Sequence, residues 1–191
     1  MTAPWLPPTF SHPLRVEVSP DVHLRPISPE DLDIDMPAVM GNQAMLWEKY
    51  GDAWGWPPTT MTAEQDRTDL ARHADEMDRH ESFNYAILPG DESSLWGCIY
   101  IDPAEGGAGL VGPAADVSWW VVPQAPTGLD SLLLEFVPAW LSRVTGRSRA
   151  CGTPSGRLAE AGRHACRGAP SRARRSHFLG DGLSPAREPR R

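Results

Sequence analysis

Three cysteines in 191 residues are too few for a disulfide framework, and Cys98 falls inside a predicted buried strand. A reduced, cytoplasmic chain is expected. No apolar run approaches the ~20 residues a membrane helix needs, so no membrane partner is expected. Met1–Ser11 lacks a basic stretch followed by an apolar one and does not read as a secretory signal. After Val144 there is no Val, Ile, Met, Trp, Tyr, Lys, Asn or Gln. Such a segment cannot offset its ordering entropy by burial and is predicted to be disordered.

What is present divides into two unlike parts. Residues 1–145 carry 22 acids against 7 bases, whereas residues 146–191 carry 11 arginines against 3 acids. The net charge of −7 is therefore −15 against +8. All eight tryptophans lie at or before Trp140. The expected organisation is an extension over 1–14, one domain over 15–145 and a tail over 146–191. A basic tail suits an acidic partner, yet it lacks lysine and interleaves no Phe, Tyr or Trp except Phe178. Nucleic acid is therefore not the expected partner. A second reading is that an Arg/Ala/Gly/Pro/Ser-rich end is what a GC-rich coding region yields when translated in a shifted frame.

Within residues 15–145 the pattern is α/β. Arg15–Val18 and Val22–Ile27 alternate apolar and polar residues around a Ser19-Pro20-Asp21 turn. Ser28-Pro29-Glu30-Asp31 starts a helix that Pro37 should interrupt or kink. A second helical stretch carries Val39, Met40, Leu46 and Trp47 towards Tyr50, and Gly51–Pro58 reads as a loop. Thr62-x-x-Gln65 is a capping box for a helix to about Glu81, with Leu70, Ala74 and Met77 inward. Phe83–Leu88 and Leu95–Ile101 form a hairpin, and a flexible Glu105–Gly109 connection leads to a strand at Asp116–Val122. The final helix places Leu129, Leu132, Leu133, Phe136, Trp140 and Leu141 on one stripe, bent by Pro138.

Three stretches carry a family resemblance. Leu24-Arg25-Pro26-Ile27-Ser28-Pro29-Glu30-Asp31-Leu32 resembles the opening strand and helix start of the ribosomal-protein-type branch of the GNAT N-acetyltransferases. Leu95-Trp96-Gly97-Cys98-Ile99-Tyr100 is similar to that family's third strand. Ala115-Asp116-Val117-Ser118-Trp119-Trp120-Val121-Val122 resembles its fourth, with an acid where many members carry one. The resemblance implies a mainly antiparallel mixed sheet flanked by helices, with acetyl-CoA as co-substrate. It assigns Trp119, Trp120, Val121 and Val122 to the pantetheine arm. It assigns Gln124, Thr127, Gly128 and Leu129 to the pyrophosphate, since helix N-termini favour anions.

The turn departs from the family pattern of Arg or Gln, two residues, Gly, one residue, then Gly or Ala. Here Gln124-Ala125-Pro126-Thr127-Gly128 puts its only glycine one place late, Pro126 removes a donor, and Asp130 adds a negative charge. Three N–H groups, of Thr127, Gly128 and Leu129, are expected to remain for an anion. Asp116 is the candidate general base or water-positioning acid, and Tyr100, with Tyr85 behind it, the candidate proton donor. Trp47, Tyr50, Trp54 and Trp56 fall where the family's acceptor pocket lies and suit a cationic or aromatic amine, small or peptidic.

His73 and His80 stand seven apart with Asp69 and Glu76 nearby, but no third close ligand joins them. Cys151 and Cys166 make no paired C-x-x-C, so no metal is expected. The expected function is transfer of an acetyl group from acetyl-CoA to an amine, and the alternative is a non-catalytic GNAT-like module that binds a ligand or a protein. The family's fifth strand is not visible in the tail. Its lack would remove half the cofactor cleft, leave this form inactive, and expose an edge on which a homodimer could form.

Overall fold

The computed structural model describes residues 6, 9–104, 115–144 and 163–164. The Glu105–Gly109 connection, Cys151, Cys166 and most of the tail lie outside the described residues. Among the described residues are five strands and four α-helices in the order β1 Val16–Ser19, β2 Val22–Pro26, α1 Leu32–Gly41, α2 Gln43–Trp54, α3 Ala63–Asp78, β3 Phe83–Pro89, β4 Gly97–Pro103, β5 Ala115–Val121 and α4 Leu129–Val144. A two-residue strand, β6 Arg163–His164, pairs antiparallel with Val117 and Ser118.

The strands run β1-β2-β3-β4-β5-β6 in order, each antiparallel to its neighbour. Period-two alternation distributes the core to both faces. Tyr85, Ile87, Ile99, Ile101 and Trp119 point to one face, where Leu129, Leu133, Val137 and Trp140 of α4 cover them. Ala86, Leu88, Cys98, Tyr100 and Trp120 point to the other, under Leu32, Val39, Leu46, Tyr50 and Leu70 of α1–α3. β3 is buried along its whole length, as a strand covered on both faces must be. No helix among the described residues is long and apolar enough to cross a membrane.

Several boundaries differ from expectation for identifiable reasons. α1 continues through Pro37 to Gly41 and ends at Asn42, whose N–H donates to the Val39 carbonyl. α2 extends to Trp54, so Gly51–Trp54 is helical rather than loop. Gly51 lies flat under the Trp47 ring, where a Cβ would sit 2.7 Å from ring carbons, and Gly55 ends the helix at φ +64°. The α4 stripe is rotated from the expected one. Val137 is buried, while Leu132 stands 37% exposed.

Local signals hold elsewhere. Thr62 Oγ1 accepts from the Gln65 N–H at 3.2 Å while Gln65 Oε1 accepts from the Thr62 N–H at 2.8 Å. Leu6 and Phe10 are also tied down. Leu6 is buried with the α4-side core, and Phe10 meets Phe83 edge to face at 5.7 Å.

Candidate functional site

β5 and the start of α4 organise the site. Register pairs Asp116 with Asp102, Ser118 with Tyr100 and Trp120 with Cys98. These pairs share the face covered by α1–α3, so Asp116 stands on the same face as Tyr100 and two residues from its cross-strand partner. Asp116 is exposed, whereas Asp102 accepts from Ser82 Oγ at 2.7 Å and burial raises its pKa. Among the described residues, β6 covers β5 only at Val117 and Ser118, so no strand pairs with Trp119–Val121 on that side, where the Trp119 carbonyl accepts from Lys49 Nζ.

The two tryptophans of β5 diverge as alternation requires. Trp120 Nε1 donates to the Tyr100 hydroxyl at 3.1 Å on the α1–α3 face. Trp119 Nε1 donates to Asp130 Oδ1 at 2.8 Å on the α4 face. Asp130 therefore ties the first turn of α4 to β5, a role the sequence did not disclose. The Leu129 N–H is committed to the Pro126 carbonyl at 3.1 Å, which corrects the expectation of three available donors. Thr127 and Gly128 keep their N–H groups outside the turn's backbone bonds. Gly128 adopts φ +88°, and a Cβ added there would meet nothing within 4 Å, so the space over this turn is open.

Four of the predicted aromatic residues converge. Tyr50 stacks on Trp54 at 4.6 Å with planes 2° apart, and Tyr100 meets both edge to face, at 5.8 and 5.4 Å. Trp56 joins edge-on to Tyr50 at 6.1 Å. Trp47 stands apart, its ring over Gly51 and 46% exposed. His73 of α3, set aside at the sequence level, lies 6.1 Å from the Tyr100 ring and between Asp69 and Glu76. Tyr85 does not belong here. It faces α4 and donates its hydroxyl to the Pro13 carbonyl at 3.0 Å. Burial raises the pKa of Tyr100 well above a phenol's usual value, so the group stays protonated and able to donate.

Beneath the aromatic residues lies a cavity of about 10 Å³ bordered by Asp35, Asp66, Asn84, Trp56, His73 and Tyr100. Its size matches one water, and Asn84 Oδ1 and Nδ2, Asp66 Oδ2 and Trp56 Nε1 have no protein partner. The periodicity of α1 and α3 shows no reason for two aspartates to face inward. Asp35 and Asp66 are 4% and 2% exposed, facing Asp69 and Asp31. Burial, then the neighbouring Asp66, raises the Asp35 carboxyl well above the usual carboxylate range, and burial raises Asp66 as well, so the two carboxyls share a proton as a pair.

An acid whose pKa is raised by folding adds no penalty below its unfolded value, and it lowers stability as pH rises towards its folded value. Asp35→Asn keeps a donor towards Asp66 and removes the titration. The variant is expected to match the parent near about pH 3, below the ordinary aspartate value, and to exceed it in Tm near about pH 8. Parallel melting curves whose difference does not change with pH would refute this.

No protein-family model and no curated protein matches the chain by sequence. Solved structures match by shape. A ribosomal L7/L12 alpha-N-protein acetyltransferase, RimL, in complex with coenzyme A gives a TM-score of 0.53 at 18% identity, covering 68% of each chain. Its apo crystal form gives 0.52 at 20% identity, covering 72% of this chain and 70% of its own. An acetyltransferase from Salmonella typhimurium that modifies the N-terminal serine of 50S ribosomal subunit protein L7/L12 gives 0.51 at 16%, covering 68% of each chain. The protein has the fold of the GNAT acetyltransferases, an α/β arrangement of antiparallel strands with flanking helices.

Proposed function

We propose that the protein is an acyl-CoA-dependent N-acetyltransferase acting on a primary amine, small or at a peptide N-terminus. The observation that carries this reading is the β5 edge at Trp119–Val121, paired with no strand among the described residues, which leads through a short turn to the N-terminus of a sixteen-residue helix. A β-edge offers amide hydrogen bonds to an extended pantetheine arm, and a helix start offers N–H groups and dipole to a pyrophosphate. Trp119, Trp120, Val121 and Val122 line the first. Gln124, Thr127 and Gly128 line the second, with Leu129 packed beneath. The open space over Gly128 leaves room for a phosphate.

Acetyl-CoA, the co-substrate of this reading, supplies an activated acyl group as a thioester. The chain's residues supply the rest. Asp116, exposed at the start of β5, draws the proton from the incoming ammonium directly or through water. Tyr100, protonated and already accepting from Trp120, donates to the departing thiolate. Tyr50, Trp54 and Trp56 border the acceptor, and their ring faces favour a cation in surroundings that carry −15 over residues 1–145. Cys98 is fully buried with its thiol pKa raised, so it is not a nucleophile in this scheme.

Calorimetric titration with acetyl-CoA tests the reading. Binding is expected with a dissociation constant in about the micromolar range, equivalent to roughly 8 kcal/mol. Absence of heat and of any thermal shift would sink it and favour the non-catalytic module.

A further inference from the structure

Lys49 is the only lysine among the 191 residues; every other base is arginine or histidine. It lies on α2, half-buried, with its Nζ 5.5 Å from the centroid of the Tyr50 ring. That Nζ donates a hydrogen bond to the main-chain carbonyl of Trp119. The single primary amine of the chain's interior therefore reaches the strand edge on which the proposed function seats the thioester. Arginine in that place would stay charged and could not react, whereas a lysine that loses its proton becomes a nucleophile.

We infer that Lys49 is an acyl acceptor in its own right, so that the protein acetylates itself at this position. The inference rests on the proposed function, because it requires a thioester on the β5 edge. The Lys49 ammonium first releases one proton to solvent. Its nitrogen lone pair then attacks the acetyl carbonyl carbon, and a nitrogen–carbon bond forms as the carbon–sulfur bond breaks. The nitrogen loses its second proton, and the leaving thiolate takes one up as free coenzyme A. No electrons are exchanged and no further reactant is needed. The product keeps one N–H for the Trp119 carbonyl but loses its charge.

Incubation of the full chain with acetyl-CoA, followed by digestion and mass spectrometry, tests this directly. The expected result is one added acetyl group on the peptide containing Lys49, approaching one per chain. It should form at least tenfold faster in the folded protein than in the same protein unfolded in urea. Lys49→Arg, which keeps a donor for Trp119, should bind acetyl-CoA by calorimetry and gain no acetyl group at this position. If the parent binds acetyl-CoA yet Lys49 stays unmodified, or if the unfolded chain reacts as fast, self-acetylation is refuted and the proposed function stands. If acetyl-CoA does not bind and Lys49 stays unmodified, both fail together.

Discussion

Gly97→Ala is expected to leave little folded protein. Gly97 opens β4 at φ +155°, and a Cβ there would lie 1.9 Å from the Trp120 carbonyl oxygen and 2.9 Å from its carbon. Both atoms are backbone in the β4–β5 ladder, where Gly97 pairs with Val121 and Cys98 with Trp120. No rotamer relieves such a clash. Relief requires β4 and β5 to separate, which disturbs the Val122 N–H bond to the Trp96 carbonyl and the edge that leads to α4.

A loss of about 4 kcal/mol or more is expected, a large share of the roughly 5–15 kcal/mol that holds a domain together. Urea unfolding of Gly97→Ala beside Gly90→Ala makes the comparison. Gly90 has nothing within 4 Å of an added Cβ, and its replacement should change stability by no more than about 1 kcal/mol. Equal midpoints for the two variants would show that β4 and β5 are not packed as described.

Arg25→Met should be the next most damaging change. The Arg25 guanidinium forks onto Asp31 at 2.6 and 2.8 Å and reaches Glu92 at 2.7 Å. One side chain on β2 thereby joins the start of α1 to the β3–β4 loop. Asp31 is only 5% exposed and otherwise accepts from the Ser28 N–H at 2.9 Å and from its hydroxyl at 3.3 Å. Methionine fills the volume but strands a buried carboxylate, at a cost of about 3 kcal/mol.

Asp31→Asn within the Arg25→Met background should recover much of the loss, because it removes the uncompensated charge. Denaturant midpoints of the two single variants and the double variant decide this. Simple additivity would mean the pair is not coupled.

Much of the fold was readable because its signals are local. The Thr62–Gln65 box, the Ser28-Pro29 start and the Pro89-Gly90-Asp91 turn each act within four residues, and each appears where expected. The order of strands and helices followed from alternation and helical spacing. Errors clustered where a distant surface sets the local outcome. Whether Leu132 or Val137 faces the sheet depends on how α4 sits on β5, which a stripe of six apolar residues does not specify. Gly51–Trp54 read as loop because glycine is a poor helix former, yet the Trp47 ring over Gly51 accompanies a helical continuation.

The site divides along the same line. Tyr100, Asp116, Trp119 and the turn to Gly128, the residues of the proposed site, could be named from two neighbouring strands and their resemblance, since they lie within about thirty residues of each other. His73, Asp35, Asp66 and Lys49 were not, because each matters only through partners twenty or more residues away: Tyr100, one another, and the Trp119 carbonyl.

The sequence by itself determined the α/β class, the order of its segments and the acidic strand that runs into an apolar helix. These depend on composition and on periods of two and 3.6, which a chain carries wherever it is placed. Only the tertiary structure decided which face each tryptophan of the Trp119-Trp120 pair takes. It also decided that Asp130 grips one of them, and that the sole lysine reaches the β5 edge. Those outcomes arise from contacts between elements, and hydrogen bonds of that kind leave no period in the chain that makes them.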